Sequence, residues 1–594
     1  METQKTPAQL RLTLAAIGAL AGVSFWLLFD VLPDQVKSAR FLMLLTAFAG
    51  SLFAGLMLLV GRLSVLVALR YVVSIALIAS LLLFWASFRY DSIHRFFDSI
   101  HPVFAMFFLA QLPLPFVLTH RLSPRGWLDY DGLFDHAWSI FVRMITAWAF
   151  TGLFWLVVFM SDQLLELVGF DYLGKLTNKI WVALPLTGLV LGLALAVLNE
   201  LHTVVSVLRR LALQLLRLLL PLVTVVMALF IVLVPFQGLD QVFGSLSAAG
   251  TMLAMAAGAV TLITSAVDGR DIDATHSKIM VISAKFLAGL LPLIALIAVY
   301  AIWVRVAQYG WTPARLSAVL ISVIVLAYGV AYASAALQGA AWRARIRGAN
   351  TWLAVSVIAV SGLWLTPILN VERISANSHA QRFLDGKIGV RDLDVWGLGH
   401  DWGKAGAAAF ADIRALKDHT DQAALDTKIA RFDAGESRWS MREDNDLVEG
   451  TELAAELLNI LPVRPLGQEL PGGIFEDFSI WHLREIITSC QTELLDGRPS
   501  CAIVIGSFDR KNAANAAILF WRGAGGLTEI STMVRSLPHS EFRHNAKVSS
   551  LGGDANAQPA EALIARILDG DFSFEPVQLD ALQIGAVQIF PRNN

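Results

Sequence analysis

The sequence predicts an α-helical polytopic membrane protein with about eleven transmembrane helices, followed by a C-terminal soluble α/β or α+β domain. Three observations carry that prediction. The 594 residues are 56% hydrophobic and only 16% charged, with a mean hydropathy of +0.61, which lies far from the averages of water-soluble domains. Apolar runs recur along the first 370 positions, and each is long enough to cross the roughly 30 Å hydrocarbon core of a bilayer as a helix. The charge balance then reverses. Residues 1–373 hold 25 Lys/Arg against 17 Asp/Glu, and residues 374–594 hold 21 against 31. The expected organisation is a transmembrane bundle over 1–370, a helical connector over 371–460 and a mixed α/β domain over 461–594.

The first run, Leu12 to Phe29, follows Lys5 and Arg11 in the manner of a signal peptide. It is too long and has no small-residue cleavage site, so it is expected to remain as the first span. The eleven expected spans cover 12–32, 41–60, 66–88, 101–119, 137–160, 180–198, 211–236, 245–267, 279–304, 315–338 and 351–370. Gln111, Pro113 and Pro115 interrupt the fourth. Between the fifth and sixth, SDQLLELVGFDYLGKLTN spaces its leucines among acids, as an amphipathic helix at the interface does. The seventh and eighth form a hairpin around the polar turn Gln237 to Gly244. Beyond the last span, GKAGAAAFADIRALKDH and DQAALDTKIARFDAG have helical spacing, followed by the helical IWHLREIITSC and AEALIARILDG. CAIVIGSF, AAILFWRG and GAVQIF read as strands.

Orientation follows from the Lys/Arg bias of short loops. A cytoplasmic N-terminus gives twelve cations on inner segments against eight on outer ones. Four further cations, Arg70, Arg143, Arg217 and Lys285, lie inside odd-numbered spans near their starts. With the N-terminus inside, all four can snorkel to cytoplasmic phosphates, and the tally becomes sixteen against eight. The tail is then periplasmic. Both cysteines, Cys490 and Cys501, lie in that tail and flank an Asp-Gly turn. They fit one disulfide in an oxidising compartment or two reduced buried thiols. The acidic tail carries no basic cluster, which excludes a nucleic-acid partner; the expected partners are the lipid bilayer and an envelope protein bound through 374–594.

Four stretches resemble a bacterial family of multi-pass membrane proteins, the domain-of-unknown-function family numbered 4153. They are YDGLFDHAW at 130–138, LLELVGFDYLGKL at 164–176, the hairpin 208–271 with its Leu-Pro-Leu and Val-Pro-Phe-x-Gly-Leu, and ISANSHAQRFLDGK at 374–387. The resemblance covers roughly 100–410. It implies a bacterial inner-membrane address and supplies no catalytic residues.

Chemistry-bearing residues are few. Arg70, Arg143, Arg217 and Lys285 are candidates for a cytoplasm-facing pocket that takes an anionic headgroup or solute, because intramembrane charges usually face a cavity or a partner. Simple snorkelling is the plainer account. Pro113, Pro115, Pro185, Pro221, Pro292 and Pro367 can make the broken helices of transporters or ordinary kinks. Gly188, Gly192 and Ala196, and the run from Ser247 to Gly258, read as close helix packing. Asp30 and Asp34 occupy the first outer loop, where lipid-linked glycosyltransferases carry a catalytic acid; that analogy is one of layout alone. Asp240 could shape a site at the hairpin turn. His539, His544 and the pair His400/Asp401 lack the third ligand of a metal site, and GAGG at 523–526 reads as a hairpin turn. No metal or cofactor is expected. The leading expectation is a non-catalytic envelope scaffold, sensor or assembly factor. A transporter or lipid translocase for an anionic substrate is the alternative, and a glycosyltransferase-like enzyme comes third.

Overall fold

The computed structural model describes residues 6–169, 172–237, 248–436, 438–468, 470, 473–475, 478–506, 516–523, 526–535, 542–545, 559–574, 582–584 and 587–589. Among them, eleven helical segments are long and apolar enough to cross a membrane. They are α1 (Pro7–Trp26, prolonged by a π-turn and a short helix to Gln35), α2 (Ala39–Leu59), α3 (Val65–Ser87), the pair α4 (His101–Gln111) and α5 (Pro113–Leu122), α6 (Tyr130–Glu166), α7 (Ile180–Glu200), α8 (His202–Gln237), α9 (Ala248–Val267), α10 (Lys278–Tyr309), α11 (Pro313–Leu337) and α12 (Trp342–Leu365).

Local chemistry sets the ends of these helices. Thr6 and Gln9 form a reciprocal capping box with Pro7 in the first turn of α1. Ser38 and Thr312 accept from the Phe41 and Arg315 amides to start α2 and α11. Pro113 has no amide proton to continue α4, so the fourth span is two helices meeting at Leu112. α6 runs well past the expected span end, and a separate short helix, Tyr172–Thr177, follows it.

The helices share cores in groups. Leu14, Leu59, Val72, Leu118, Ala147 and Leu195 join the first six spans, whereas Leu220, Met252, Leu287, Tyr332 and Ile346 join the last five. Outward faces remain apolar. Only 11% of the most apolar stretch of α6 is buried in the protein, and such a helix needs lipid around it.

The closest packing is between α1 and α7. A Cβ on Gly18 would stand 1.9 Å from the Gly188 carbonyl oxygen, one on Gly188 2.0 Å from that of Gly18, and one on Gly192 2.1 Å from that of Leu14. Backbone thus lies against backbone, antiparallel, in the manner of small-residue membrane interfaces. Gly258 has nothing near its Cβ direction, so that part of the 247–258 run makes no comparable approach; Ser247 lies outside the described residues. Gly329 does, nesting α11 against Pro292 of α10.

Contacts between helix ends sort the loops into two faces. On the N-terminal face, Arg11 pairs with Glu200, Arg209 with Asp135, Arg270 with Asp131 and Arg347 with Asp271. On the opposite face, Arg40 donates to the Tyr90 and Asp91 carbonyls, Arg89 to the Thr366 carbonyl, and Arg382 to the Ala307 and Gln308 carbonyls. Successive crossings produce this alternation, and eleven of them would leave the two ends of the bundle on opposite faces.

The chain divides into two compact units, Met1–Ile429 and Ala430–Asn594. The boundary falls inside the connector expected over 371–460. α13 (Val371–Leu384) and α14 (Gly403–Arg414) belong with the bundle because buried polar contacts hold them there, and the Lys404 amide donates to the Arg89 carbonyl at 2.8 Å. α15 (Gln422–Asp433) spans the boundary.

The second unit contains α16 (Arg438–Ile460), α17 (Ile480–Gln491), α18 (Ala560–Asp569) and strands β1 (Val463–Arg464), β2 (Cys501–Gly506), β3 (Ala516–Arg522), β4 (Thr528–Arg535) and β5 (Phe542–Asn545). The sheet order is β1-β2-β3-β4-β5, parallel at β1/β2 and antiparallel thereafter. A separate hairpin pairs β6 (Leu582–Ile584) with β7 (Val587–Ile589). Alternate residues of β2 serve two cores. Cys501, Ile503 and Ile505 face α16 and α17, while Ala502 and Val504 face α18. Helices on both faces explain why β2 is apolar at nearly every position.

Candidate functional site

The four intramembrane cations are not gathered into one pocket. Arg217 on α8 reaches the end of α9, where its Nη2 donates to the Asp268 carboxylate, its Nε to the Ser265 carbonyl at 2.7 Å and its Nη1 to the Asp273 carbonyl at 3.0 Å. Its charge is neutralised on the spot. Asp268 is the hub: it has φ of +54°, its carboxylate also accepts from the Gly269 amide at 2.7 Å, and its carbonyl accepts from Arg347 Nε at 2.9 Å. Lys285 on α10 lies over the Trp342 ring, 5.5 Å from its centroid, a cation–π contact. Arg70 on α3 is exposed on the bundle surface, where a long side chain can snorkel.

Arg143 on α6 differs from these three. It is 2% exposed. Its Nε donates to the Ser139 carbonyl at 3.1 Å and its Nη1 to Asn199 Oδ1 at 2.5 Å. Arg62 is its charged neighbour.

A second polar centre lies on the opposite face and was not anticipated from the sequence. Glu372, at the start of α13, is 1% exposed. Arg89 Nη1 donates to Glu372 Oε2 at 3.1 Å, and the Tyr90 hydroxyl donates to Oε1 at 3.0 Å. Arg89 Nη2 also donates to the Trp364 and Thr366 carbonyls at 2.8 and 2.7 Å. Trp364 Nε1 donates to His101 Nδ1 at 3.0 Å, so the proton of a neutral ring sits on Nε2. That nitrogen faces Glu372 Oε1 at 3.5 Å, too far for a good hydrogen bond. Burial, and then Glu372, push the Tyr90 phenol well above its usual range. Six residues from four chain segments thereby lock α13 to the turn after α3.

Close to this clamp, His379 of α13 is 4% exposed and both its ring nitrogens lack a hydrogen-bond partner. Its ring lies 4.8 Å from that of Trp402. Burial lowers the imidazole pKa to about 4; nearby Asp394 opposes that shift, and Arg315 and Arg382 reinforce it.

The remaining candidates have structural surroundings. Asp30 accepts from Trp26 Nε1 at 3.0 Å, and Asp34 sits on the short helix prolonging α1. Helix therefore occupies most of the expected first loop and leaves little room for a catalytic platform. His400 Nδ1 lies 3.1 Å from Asp401 Oδ1, with its ring stacked on Trp396. Among the described residues no group of three or more His, Cys, Asp or Glu could hold a metal ion. Cys490 and Cys501 are joined in a disulfide. Asp240, His539, and Ala524 and Gly525 of the GAGG turn lie outside the described residues, as does the His544 side chain.

Sequence spacing could not find Glu372 as the partner of Arg89, because the two are 283 residues apart. The one available signal was an acid placed directly after a span in NVER. Comparison of the chain with protein-family models, with curated proteins and with solved structures found no match to any of them.

Proposed function

We propose that this chain is a non-catalytic scaffold, sensor or assembly factor of the bacterial inner membrane. In this reading the N-terminal face of the bundle is cytoplasmic, residues 371–429 lie on its periplasmic face, and residues 430–594 form a soluble periplasmic module. The single observation that carries this reading is the Glu372 clamp, which fixes the first extramembrane helices rigidly onto the face opposite the N-terminus. The clamp fixes where the chain leaves the bundle on its way to the second unit. The sixteen-to-eight distribution of cations supports the orientation, and a bonded Cys490–Cys501 pair suits an oxidising compartment. Membership of the multi-pass family numbered 4153 is part of the same proposal.

A pocket for transport built from Arg70, Arg143, Arg217 and Lys285 together is less well supported, because Arg217 and Lys285 already have local partners. Charge reversal separates the readings. Arg217→Glu should lower the amount of folded protein, since it sets two carboxylates against each other at Asp268. Loss of anion uptake or lipid translocation with protein level unchanged would favour the transporter. For the scaffold, site-specific crosslinking from residues 430–594 in intact cells should yield a discrete partner adduct. Its absence from every exposed position tried would count against the proposal.

A further inference from the structure

We propose that Arg143 is the centre of a binding site for a single oxyanion group, phosphate or carboxylate, at the N-terminal face of the bundle. The inference goes beyond the scaffold reading and does not depend on it.

A guanidinium 2% exposed within an apolar bundle costs several kcal/mol to desolvate unless an anion compensates it. No carboxylate among the described residues forms an ion pair with Arg143. Of the nearby acids, Glu200 is held by Arg11 through two hydrogen bonds and Asp135 by Arg209, while Asp129, which accepts from the Ser123 hydroxyl, acts on His136 and not on Arg143. The two groups that accept from Arg143, the Ser139 carbonyl and Asn199 Oδ1, are neutral. Arg62 is the charged neighbour that acts on both Arg143 and His136, and His136 lies two helical turns before Arg143 on the same face of α6.

Asn199 completes the set. Arginine only donates, so the 2.5 Å contact fixes Asn199 with Oδ1 toward Arg143 and its NH2 group turned away. That NH2 group meets the turn carrying Arg62. Gly61, at φ of +101°, comes so close that a Cβ there would stand 3.1 Å from Asn199 Nδ2, which pins Arg62 near Asn199 and hence near Arg143. The cluster therefore offers a guanidinium, an amide NH2 group and a second guanidinium, and the Ser139 carbonyl and Asn199 Oδ1 are taken by Arg143 itself. The complement of such a set is an oxyanion, and arginine recognises phosphate and carboxylate oxygens through paired donors.

The source is either a free anion or an anionic lipid headgroup, and two arms distinguish them. The full-length protein is purified without phosphate. Its melting temperature is then followed against inorganic phosphate in neutral detergent, and separately in neutral nanodiscs with increasing phosphatidylglycerol. Binding to the folded state gives a saturable rise of a few degrees (~2–4 °C) in one arm, with no matching rise in chloride of equal ionic strength. Arg143→Met removes the uncompensated charge; it should melt at or above the anion-free wild type and lose the response. Arg62→Gln should fold and raise the half-saturation concentration about tenfold. An unresponsive wild type in both arms, a chloride effect of equal size, or a wild-type response in Arg143→Met would overturn the proposal. If Arg143→Met fails to fold, an unchanged midpoint in Arg62→Gln overturns it.

Discussion

Glu372 and Arg89 are both almost wholly buried, with side-chain exposures of 1% and 8%, so neither can lose its partner without stranding a charge. Arg89→Met should destabilise the docking of α13 by about 3–5 kcal/mol, as removal of one member of a buried pair does. The double replacement Arg89→Met with Glu372→Leu should recover much of that loss. Hydrogen exchange across residues 371–384 measures both, and equal protection in the single variant and the wild type would contradict the clamp. His379 gives a pH dependence with a definite sign. Its folded pKa of about 4 lies below the ordinary histidine value, so the unfolded segment binds the extra proton between those limits. Stability from this group is complete above about pH 6.5 and falls as the pH drops toward 4. Protection of α13 should therefore weaken at pH 5 relative to pH 7, by something on the order of 2 kcal/mol, and His379→Gln should flatten that dependence. An unchanged pH profile in the variant would remove His379 from the account.

Among the elements, the α1–α7 seam is the least tolerant of added volume. Gly18 and Gly188 each present Cα to the other's carbonyl, and any side chain would stand about 2 Å from backbone oxygen. Gly188→Val should separate the helices and sharply reduce the yield of folded protein, whereas Gly258→Ala, with open space at its Cβ, should change stability by less than about 0.5 kcal/mol. Size-exclusion profiles of the two variants in detergent check this contrast. Comparable profiles for both would mean that the seam does not govern folding. The sequence made Gly188 and Gly192 visible as a four-residue stripe but could not name their partner. Gly18 and Gly22 have the same spacing on a helix five spans earlier, and only the fold brings the two stripes together.

For the whole molecule, span count was legible because a helix crossing hydrocarbon must be about twenty residues long and almost free of charge. Eleven such segments were expected and eleven are present among the described residues. The polar interior was much less legible. Arg217 and Asp268 are 51 residues apart and Arg89 and Glu372 are 283 apart, so each looked like an isolated charge or a solvated loop acid. The division at Ile429 was not legible for the same reason: residues 371–429 belong to the stretch that reads as a polar connector, and the contacts that fasten their buried face to the bundle carry no periodic signal. With an odd count and loops sorted into two faces, the proposed arrangement puts the N-terminus and residues 371–429 on opposite sides of the membrane. Single cysteines introduced at His276 and Lys387, which are exposed on the N-terminal and opposite faces respectively, test it with a membrane-impermeant maleimide on intact cells. Lys387→Cys should label from outside and His276→Cys only after permeabilisation, and labelling of both positions from the same side would contradict the proposed arrangement.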